Sequence, residues 1–303
     1  MAPTLRQRLR AMRIYLKSYA LFLQAFDDAS KALVLPFRER TDFHPRGGRP
    51  PVTVPGACWT MLPTVCRLLG EGMTPSWEGA DLKVRFGDFQ FHAPPLDKSI
   101  GWTLKEIFVD DVYGLGAADL TGQTALDVGA FIGDSTVALA SRGAFVHAFE
   151  PLPLACEYLR RNVEINGLAD RVRVHPVALA DREERVALAV NVAGLAGTAT
   201  RYDDPDQGKS ARQVEQEVRM VDAFDYLRRE GIGSAQVVKL DCEGEEYALL
   251  KDGALLKALS PRMVTMEYHR GGEVLRDVLS AAGYAVQWDD VGTVQGHMIA
   301  RRP

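Results

Sequence analysis

Cysteine is scarce in this chain of 303 residues. The four cysteines are Cys58, Cys66, Cys156 and Cys242. None of them forms a C-x-x-C pair, and none stands at zinc-finger spacing from a histidine. The pattern argues against a disulfide scaffold and a zinc finger, and it predicts reduced thiols in a cytoplasmic protein.

The sequence also lacks the run of roughly 18 apolar residues that crosses a bilayer. Near the basic N-terminal end, Arg13, Lys17 and Gln24 interrupt the apolar residues, and no small-residue cleavage site follows. We therefore expect neither a transmembrane segment nor a secretory signal.

No charge of one sign dominates, since the formal net charge is −4. A global basic field that would recruit nucleic acid is therefore not expected. The charge is unevenly distributed, however. The first 50 residues contain ten Lys/Arg and four Asp/Glu, which leaves a net charge of −10 on the remaining 253.

Residues 1–80 are predicted to form a mainly helical N-terminal extension. Apolar residues recur at helical spacing from Leu5 to about Leu35. Such a helix would pack on the body of the protein or on a second subunit, which allows a homodimer. The alternative is a basic amphipathic helix on an anionic membrane surface or an anionic substrate. The Pro- and Gly-rich residues 41–56 are typical of a linker or irregular loop.

Residues 81–303 are predicted to form a second domain. It opens with a β-hairpin over Asp81–His92, whose turn is at Gly87-Asp88. From about residue 121 short apolar strands alternate with helices, and a strand-rich excursion spans about Arg185–Val221. Residues 285–289 and 294–301 are expected to close the chain as an antiparallel hairpin. Repeated β–α alternation predicts an α/β fold with a mostly parallel sheet.

A glycine loop carries the strongest local signal, in the sequence DVGAFIGDS from Asp127 to Ser135. It follows a predicted strand and opens a helix, and Gly129 and Gly133 allow close approach of a ligand to the backbone. The spacing departs from the G-x-G-x-x-G of dinucleotide sites. Asp127 and Asp134 would repel a pyrophosphate and favour a cation. S-adenosylmethionine, with a sulfonium and an ammonium, fits this requirement.

Glu150 ends the next predicted strand, 23 residues after Asp127. A carboxylate at this place in a nucleoside-binding α/β fold accepts hydrogen bonds from the ribose hydroxyls. Together, the loop and Glu150 predict a nucleoside cofactor site.

These motifs, with VVKLDCEGEEYALL and MEYH further along, resemble the FkbM-type S-adenosylmethionine-dependent methyltransferases. The K-x-D-x-E-G-x-E run is the most specific part, and Leu104, Glu106, Phe108 and Tyr113 look like that family's entry segment. The resemblance covers about residues 81–300. It implies a class I methyltransferase fold with a seven-stranded sheet and methyl transfer, usually to a hydroxyl of a natural product, sugar or lipid-like acceptor.

The resemblance also implies a set of cofactor-binding residues. Asp127 would face the amino-acid portion, Glu150 the ribose, and the segment around Leu179 the adenine. The full set is Asp127, Gly129, Ala130, Phe131, Gly133, Asp134, Ser135, Glu150, Pro151, Ala178, Leu179 and Asp241. Phe131 replaces an Asn that the family often has, so only a backbone contact is expected there.

Catalytic candidates follow the fourth strand of this fold, or follow or finish the fifth, and these two strands are neighbours. Asp241, Glu243, Glu267 and His269 would therefore converge on one cleft. His269 is the leading general base, because the ordinary pKa of histidine lies near working pH. Asp241 would orient the cofactor or acceptor. Local roles are the alternatives: a loop histidine held by hydrogen bonds, and Glu243 as a first-turn carboxylate of the following helix.

Three further predictions concern the same cleft. Lys239 should pair with a carboxylate, because an unpaired buried charge is costly. Cys242 is expected to be a small packed residue, since flanking carboxylates raise a thiol pKa. A magnesium or manganese site at Asp241, Glu243, Glu267 and His269 is conceivable, but nothing in the spacing demands it, so S-adenosylmethionine is the one cofactor expected.

The sequence thus predicts an S-adenosylmethionine-dependent O-methyltransferase that acts on a small molecule. An N-methyltransferase acting on a peptide or amine is an alternative, as is a binding module without catalysis. A nucleic-acid methyltransferase is supported only by the basic first 50 residues.

Overall fold

The computed structural model describes residues 17–116, 118–191, 213–289 and 294–303. The chain divides into two compact units, Met1–Thr103 and Leu104–Pro303. Within the described residues, no helix combines the length and apolarity needed to cross a membrane.

The first unit combines short helices with two small antiparallel sheets. Its helices are α1 (residues 17–25), α2 (Leu62–Gly70) and α3 (Ile100–Phe108), the last of which spans the division between the units. Its strands are β1 (Arg40–Phe43), β2 (Val52–Pro55), β3 (Thr74–Glu78), β4 (Asp81–Phe86) and β5 (Phe89–Ala93). β1 pairs with β2, and β3, β4 and β5 form the second sheet.

Two predictions for this unit are wrong in part. The helix predicted to reach Leu35 ends at residue 25, where Phe26 pairs with Pro45, and two short 3₁₀ helices follow. Residues 5–16 of that predicted helix lie outside the described part. The predicted linker at 41–56 contains most of β1 and all of β2, because alternate residues such as Phe43 and Val54 are buried in the unit's core.

The hairpin predicted over Asp81–His92 is confirmed as β4 and β5, which turn at Gly87 and Asp88. β4 also pairs with β3. That pairing joins the hairpin to the first unit, so the division between the compact units falls after Thr103 and not after residue 80.

Among its described residues, the second unit contains ten strands and six α-helices, besides the end of α3 and a short 3₁₀ helix at Ala169–Arg171. The strands are β6 (Thr124–Val128), β7 (Phe145–Phe149), β8 (Val172–His175), β9 (Ala178–Ala180), β10 (Glu184–Asn191), β11 (Gln213–Asp222), β12 (Val237–Leu240), β13 (Met263–Tyr268), β14 (Ala285–Trp288) and β15 (Gly296–Arg301). The helices are α4 (Asp134–Ser141), α5 (Pro153–Ile165), α6 (Ala223–Arg229), α7 (Glu246–Leu250), α8 (Ala254–Leu259) and α9 (Glu273–Ala281).

Seven of these strands form one sheet in the order β14-β15-β13-β12-β6-β7-β8. β15 runs antiparallel to both of its neighbours, and the other six strands are parallel to one another. The predicted α/β fold with a seven-stranded, mostly parallel sheet is therefore confirmed, as is the closing antiparallel hairpin. This strand order is that of the class I methyltransferase fold.

Both faces of the seven-stranded sheet are buried, which explains the continuous apolar runs of its strands. Alternate residues of one strand point to opposite faces. Leu126 and Val238 belong to one buried cluster, whereas their neighbours Ala125 and Val237 belong to another. Asp127 and Lys239 lie two residues beyond Ala125 and Val237, so they project from the same face, at the carboxyl ends of β6 and β12.

The predicted strand-rich excursion is a separate three-stranded sheet. β10 pairs antiparallel with β11, and β11 pairs in parallel with β9. Residues 192–212 of the excursion lie outside the described part of the chain.

Candidate active site

The glycine loop between β6 and α4 is fixed by contacts that suit a glycine at position 129. Gly129 has a φ of 77°, which residues with a side chain rarely adopt. A Cβ built there would overlap with the carbonyl oxygen of Asp241. The amide N–H groups of Gly129 and Ala130 both donate to the carbonyl oxygen of Phe149, each at 3.0 Å. The loop is therefore in direct contact with the chain segment that follows β12.

Glu150 contacts this loop and is 5% exposed. One carboxylate oxygen accepts the Phe131 N–H at 2.9 Å, and the other accepts the Leu152 N–H at 2.8 Å. Phe131 has a φ of 48°. Phe131 thus contacts Glu150 through its backbone, and its predicted backbone contact with a cofactor stays a prediction. Each oxygen of Glu150 retains a lone pair for a further donor.

Burial raises the pKa of Glu150 to about 7, despite the two backbone N–H groups that lower it. Because the pKa of Glu150 is raised in the folded state, its contribution to the free energy of unfolding is greatest below pH 4.5, the ordinary pKa of the group. That contribution is lost as the pH rises through 7. We expect Glu150→Gln to gain about 1–3 kcal/mol relative to the wild type between pH 4.5 and pH 8. Urea unfolding of the ligand-free proteins measures the difference. Glu157→Gln, an exposed change on α5, is the control. A Glu150→Gln difference independent of pH contradicts the expectation.

Asp127 is fully buried at the end of β6. Its Oδ2 accepts the hydroxyls of Ser135 at 2.7 Å and Thr136 at 2.6 Å. Both hydroxyls belong to the first turn of α4, so the carboxylate ties that turn to the strand. The predicted contact between Asp127 and a cofactor stays a prediction.

Lys239 pairs with carboxylates, as the sequence predicted. Its Nζ is 3.4 Å from Asp127 Oδ1 and 3.4 Å from Asp241 Oδ2, and it donates to the Gly129 carbonyl oxygen at 2.8 Å. The side chain is 3% exposed. Burial lowers the lysine pKa, but the charges of Asp127 and Asp241 outweigh it and hold the pKa above its ordinary value. A buried cation therefore links the glycine loop to both carboxylates.

Asp241 has a second partner on the segment before β6. The Tyr113 hydroxyl donates to Asp241 Oδ2 at 3.0 Å, and the Tyr113 ring lies 5.5 Å from Lys239 Nζ. Burial raises the pKa of Asp241, but Lys239 and His269 outweigh burial and hold it below its ordinary value. Asp241 is therefore ionised at neutral pH.

Asp241, Glu267 and His269 converge, as the sequence predicted for residues at the ends of neighbouring strands. One nitrogen or oxygen atom of each lies within 4.8 Å of the others. Burial and the charge of Asp241 raise the pKa of Glu267 to about 7. This geometry would also admit a divalent ion, and the metal hypothesis stays a prediction.

Two further carboxylates flank the ring of His269. Its Nε2 is 3.6 Å from Glu243 Oε2, and its Nδ1 is 3.3 Å from Glu246 Oε1. Burial lowers the pKa of His269, but Glu246, Asp241 and Glu243 together raise it to about 9. The expectation of an ordinary pKa for this histidine is therefore wrong, because the carboxylates stabilise the charged ring.

The structure also corrects the local role considered for Glu243. Helix α7 begins at Glu246, so Glu243 precedes the helix and has a φ of 54°. Burial raises the pKa of Glu243 to about 8. Burial likewise raises the pKa of the Cys242 thiol well above its ordinary value, as expected of a packed cysteine.

Sequence reasoning assigned no role to Glu106, Tyr113 or Glu246, although all three lie near the cluster. Burial and the charges of Asp241 and Asp134 raise the pKa of Glu106 to about 7. Glu106 and Tyr113 belong to the entry segment, and Glu246 is the last Glu of the K-x-D-x-E-G-x-E run. Those motifs could have suggested the three residues, but not their contacts.

The remaining predicted cofactor residues are placed as follows. Asp134 is 5% exposed, and its Oδ1 accepts the Ser135 N–H at 2.8 Å. Gly133 precedes α4 with a φ of 90°. Pro151 follows Glu150, and Ala178 and Leu179 lie in β9. Their contacts with a cofactor stay predictions.

A comparison with protein families gives one assignment. The sequence profile of the methyltransferase FkbM domain matches residues 127–286, which begin at Asp127 and end in β14. The matched segment thus includes the glycine loop, Glu150 and the four predicted catalytic residues. No curated protein matches the sequence.

Several solved structures resemble the chain at low identity. The tRNA (uracil-54, C5)-methyltransferase of Pyrococcus abyssi is 19% identical, with a TM-score of 0.41 over 74% of this chain and 45% of the other. Magnesium protoporphyrin IX methyltransferase of Synechocystis PCC 6803 is 12% identical, with a TM-score of 0.39 over 68% of this chain and 83% of the other. Precorrin-6y C5,15-methyltransferase of Geobacter metallireducens is 11% identical, with a TM-score of 0.39 over 64% and 87%. Scores this low carry no information on the substrate of this chain.

Proposed function

The chain belongs to the FkbM methyltransferase domain family, whose profile covers more than half of its residues, and we propose that it methylates a hydroxyl group. The cofactor is S-adenosylmethionine. The proposed acceptor is a natural product, a sugar or a similar small molecule.

The described residues suit this cofactor. Gly129 allows the loop to pack directly against the Asp241 carbonyl oxygen, and each oxygen of Glu150 can accept one ribose hydroxyl. The carboxylates of Asp134 and Asp241 supply negative charge for a sulfonium and an ammonium. We propose that these four residues hold the cofactor, and that Asp127 acts on the loop through Ser135 and Thr136.

When bound, S-adenosylmethionine would supply a methyl group to a nucleophile in line with the carbon–sulfur bond, which breaks so that the sulfur leaves as a neutral thioether. An alcohol is a weak nucleophile until its proton is removed, so the protein must provide a base. We propose that Nε2 of His269 accepts this proton and that Asp241 orients the acceptor. Glu243 and Glu267 would then stabilise the imidazolium that forms.

The observation that carries the proposal is the convergence of Asp241, Glu267 and His269 beside the glycine loop. A neutral amine is already nucleophilic and needs less help from a base. A histidine within a buried cluster of titratable groups therefore favours a hydroxyl acceptor over the amine of the alternative reaction.

Product analysis distinguishes the two reactions. We expect S-adenosylmethionine with a labelled methyl group to give methyl ethers from polyhydroxylated small molecules, as seen by NMR of the labelled carbon. His269→Gln should lower kcat about 100-fold or more, with the affinity for S-adenosylmethionine retained, because the base is lost. A label on nitrogen would overturn the hydroxyl proposal.

The pH dependence identifies the base. His269 must be neutral to accept a proton, so kcat should rise with pH toward its pKa of about 9. Among the described residues, the charged or titratable groups near its ring include Asp241, Glu243, Glu246, Glu267 and His297. If kcat instead rises with a midpoint near pH 7, Glu267, whose pKa is about 7, is the group that accepts the substrate proton.

A further inference from the structure

Glu246 is a buried carboxylate that the reaction described above does not use. It is 0% exposed and is the first residue of α7. It is also the last Glu of the K-x-D-x-E-G-x-E run, the most specific motif in the sequence. A buried carboxylate is costly unless its partners compensate for lost water, so its contacts should show what it does.

Those contacts lie on two different segments. Oε1 of Glu246 accepts the N–H of Cys242 at 2.8 Å, which anchors the carboxylate to the segment after β12. The same oxygen is 3.3 Å from Nδ1 of His269, which follows β13. Glu246 therefore contacts the segment after β12 and also His269, which follows the neighbouring strand β13.

The segment that contains His269 is held in place at other points as well. The Arg270 guanidinium donates to the Gly244 carbonyl oxygen at 2.6 Å, and the Arg270 N–H donates to the Tyr247 hydroxyl at 2.8 Å. The Tyr247 hydroxyl in turn donates to the Gly271 carbonyl oxygen at 2.7 Å. Residues 269–271 and 244–247 thus form one connected unit, and the imidazole ring is held within it.

The two ring nitrogens of His269 are consequently in different surroundings. Nδ1 faces the anchored carboxylate of Glu246, which stabilises a proton on that nitrogen. Nε2 faces Glu243, at 3.6 Å. A proton on Nδ1 leaves the lone pair of the neutral ring on Nε2, the atom that must accept a proton from the substrate.

We propose that Glu246 is a positioning residue that fixes the tautomer and orientation of His269 and thereby makes Nε2 the base. The effect of Glu246 on kcat that follows from this inference depends on the proposed function. The state of the ring itself can be measured in the absence of any acceptor.

NMR of the full chain labelled in its histidines tests the positioning directly, and His269→Gln assigns the signal. In the wild type, we expect neutral His269 to carry its proton on Nδ1. In Glu246→Gln, which keeps the shape but removes the charge, the pKa of His269 should fall toward its ordinary value of 6.5. A proton on Nε2 in the wild type, or an unchanged pKa in the variant, would overturn the proposal.

Kinetics supply a second readout. Glu246→Gln should lower kcat about 10- to 100-fold and move its pH limb to lower pH, because the base is weaker and less well oriented. The KM for S-adenosylmethionine should not change. Glu246→Asp keeps the charge and should restore part of kcat. A loss of kcat without a shift of the limb would mean a structural role and would contradict the proposal.

Two controls separate the possible failures. Glu273→Gln changes an exposed carboxylate at the start of α9 and should alter neither the pKa of His269 nor kcat. If Glu246→Gln does not fold, the tautomer in the wild type still decides the question. If the wild type binds no S-adenosylmethionine, the proposed function fails, whereas the NMR result on His269 stands by itself.

Discussion

Gly129→Ala is expected to abolish S-adenosylmethionine binding, with a loss of affinity of more than about 100-fold, because small displacements at such a site are costly. The added Cβ would overlap with the Asp241 carbonyl oxygen, which belongs to the backbone and cannot rotate away. Gly129 also has a φ of 77°, which disfavours alanine. The loop must therefore move away from Asp241, and its N–H groups must leave the Phe149 carbonyl oxygen. Calorimetric titration with S-adenosylmethionine measures the loss.

Gly167→Ala is the matched control for this prediction. Gly167 has a similar φ of 69°, but a Cβ there would meet no atom within 4 Å. It should cost about 1 kcal/mol of stability through its backbone conformation alone, and leave the affinity unchanged. Equal losses of affinity in the two variants would contradict a specific role for the loop, and a Gly129→Ala protein that binds normally would refute it.

Lys239→Met is expected to lower the free energy of unfolding by about 3–5 kcal/mol, because removing one partner leaves an uncompensated buried charge. The remaining charges are Asp127, which is fully buried, and Asp241, whose side chain is 26% exposed. Methionine fills a similar volume, so the cost comes from charge and from the lost hydrogen bond to Gly129, not from a cavity. Urea unfolding near neutral pH measures the change.

Two variants support that measurement. Lys83→Met removes a partly exposed lysine that lies 3.2 Å from the exposed carboxylate of Glu78, and it should cost less than about 1 kcal/mol. The double change Asp127→Asn and Lys239→Met should recover part of the lost stability, because one of the two carboxylates is then neutral. Equal effects of Lys239→Met and Lys83→Met would contradict the role given to the buried cation.

The fold was predictable wherever burial imposes a simple pattern. Short apolar strands that alternate with helices predicted the α/β fold and the mostly parallel sheet that the structure shows. The two-stranded sheet of β1 and β2 escaped prediction because each strand has only four residues and residues 41–56 are rich in Pro and Gly. A pairing between segments that short depends on the tertiary core, which local sequence does not reveal.

Site residues were predictable where they lie near the end of a strand or directly after it, because parallel strands end at one edge of the sheet. That argument brought Asp241, Glu267 and His269 together. It could not give the pKa of His269, which depends on three carboxylates at particular distances. Nor could it identify Tyr113, which reaches Asp241 from 128 positions earlier in the chain. Contacts of this kind follow from the fold and not from spacing.

A crystal structure with S-adenosylhomocysteine bound tests the central claim most directly. We expect the ribose hydroxyls to contact Glu150 and the sulfur to lie between the glycine loop and the cluster of Asp241, Glu267 and His269. Nε2 of His269 should then face the side from which an acceptor hydroxyl approaches. A ligand bound away from the loop, or a sulfur separated from the cluster by protein, would contradict the account.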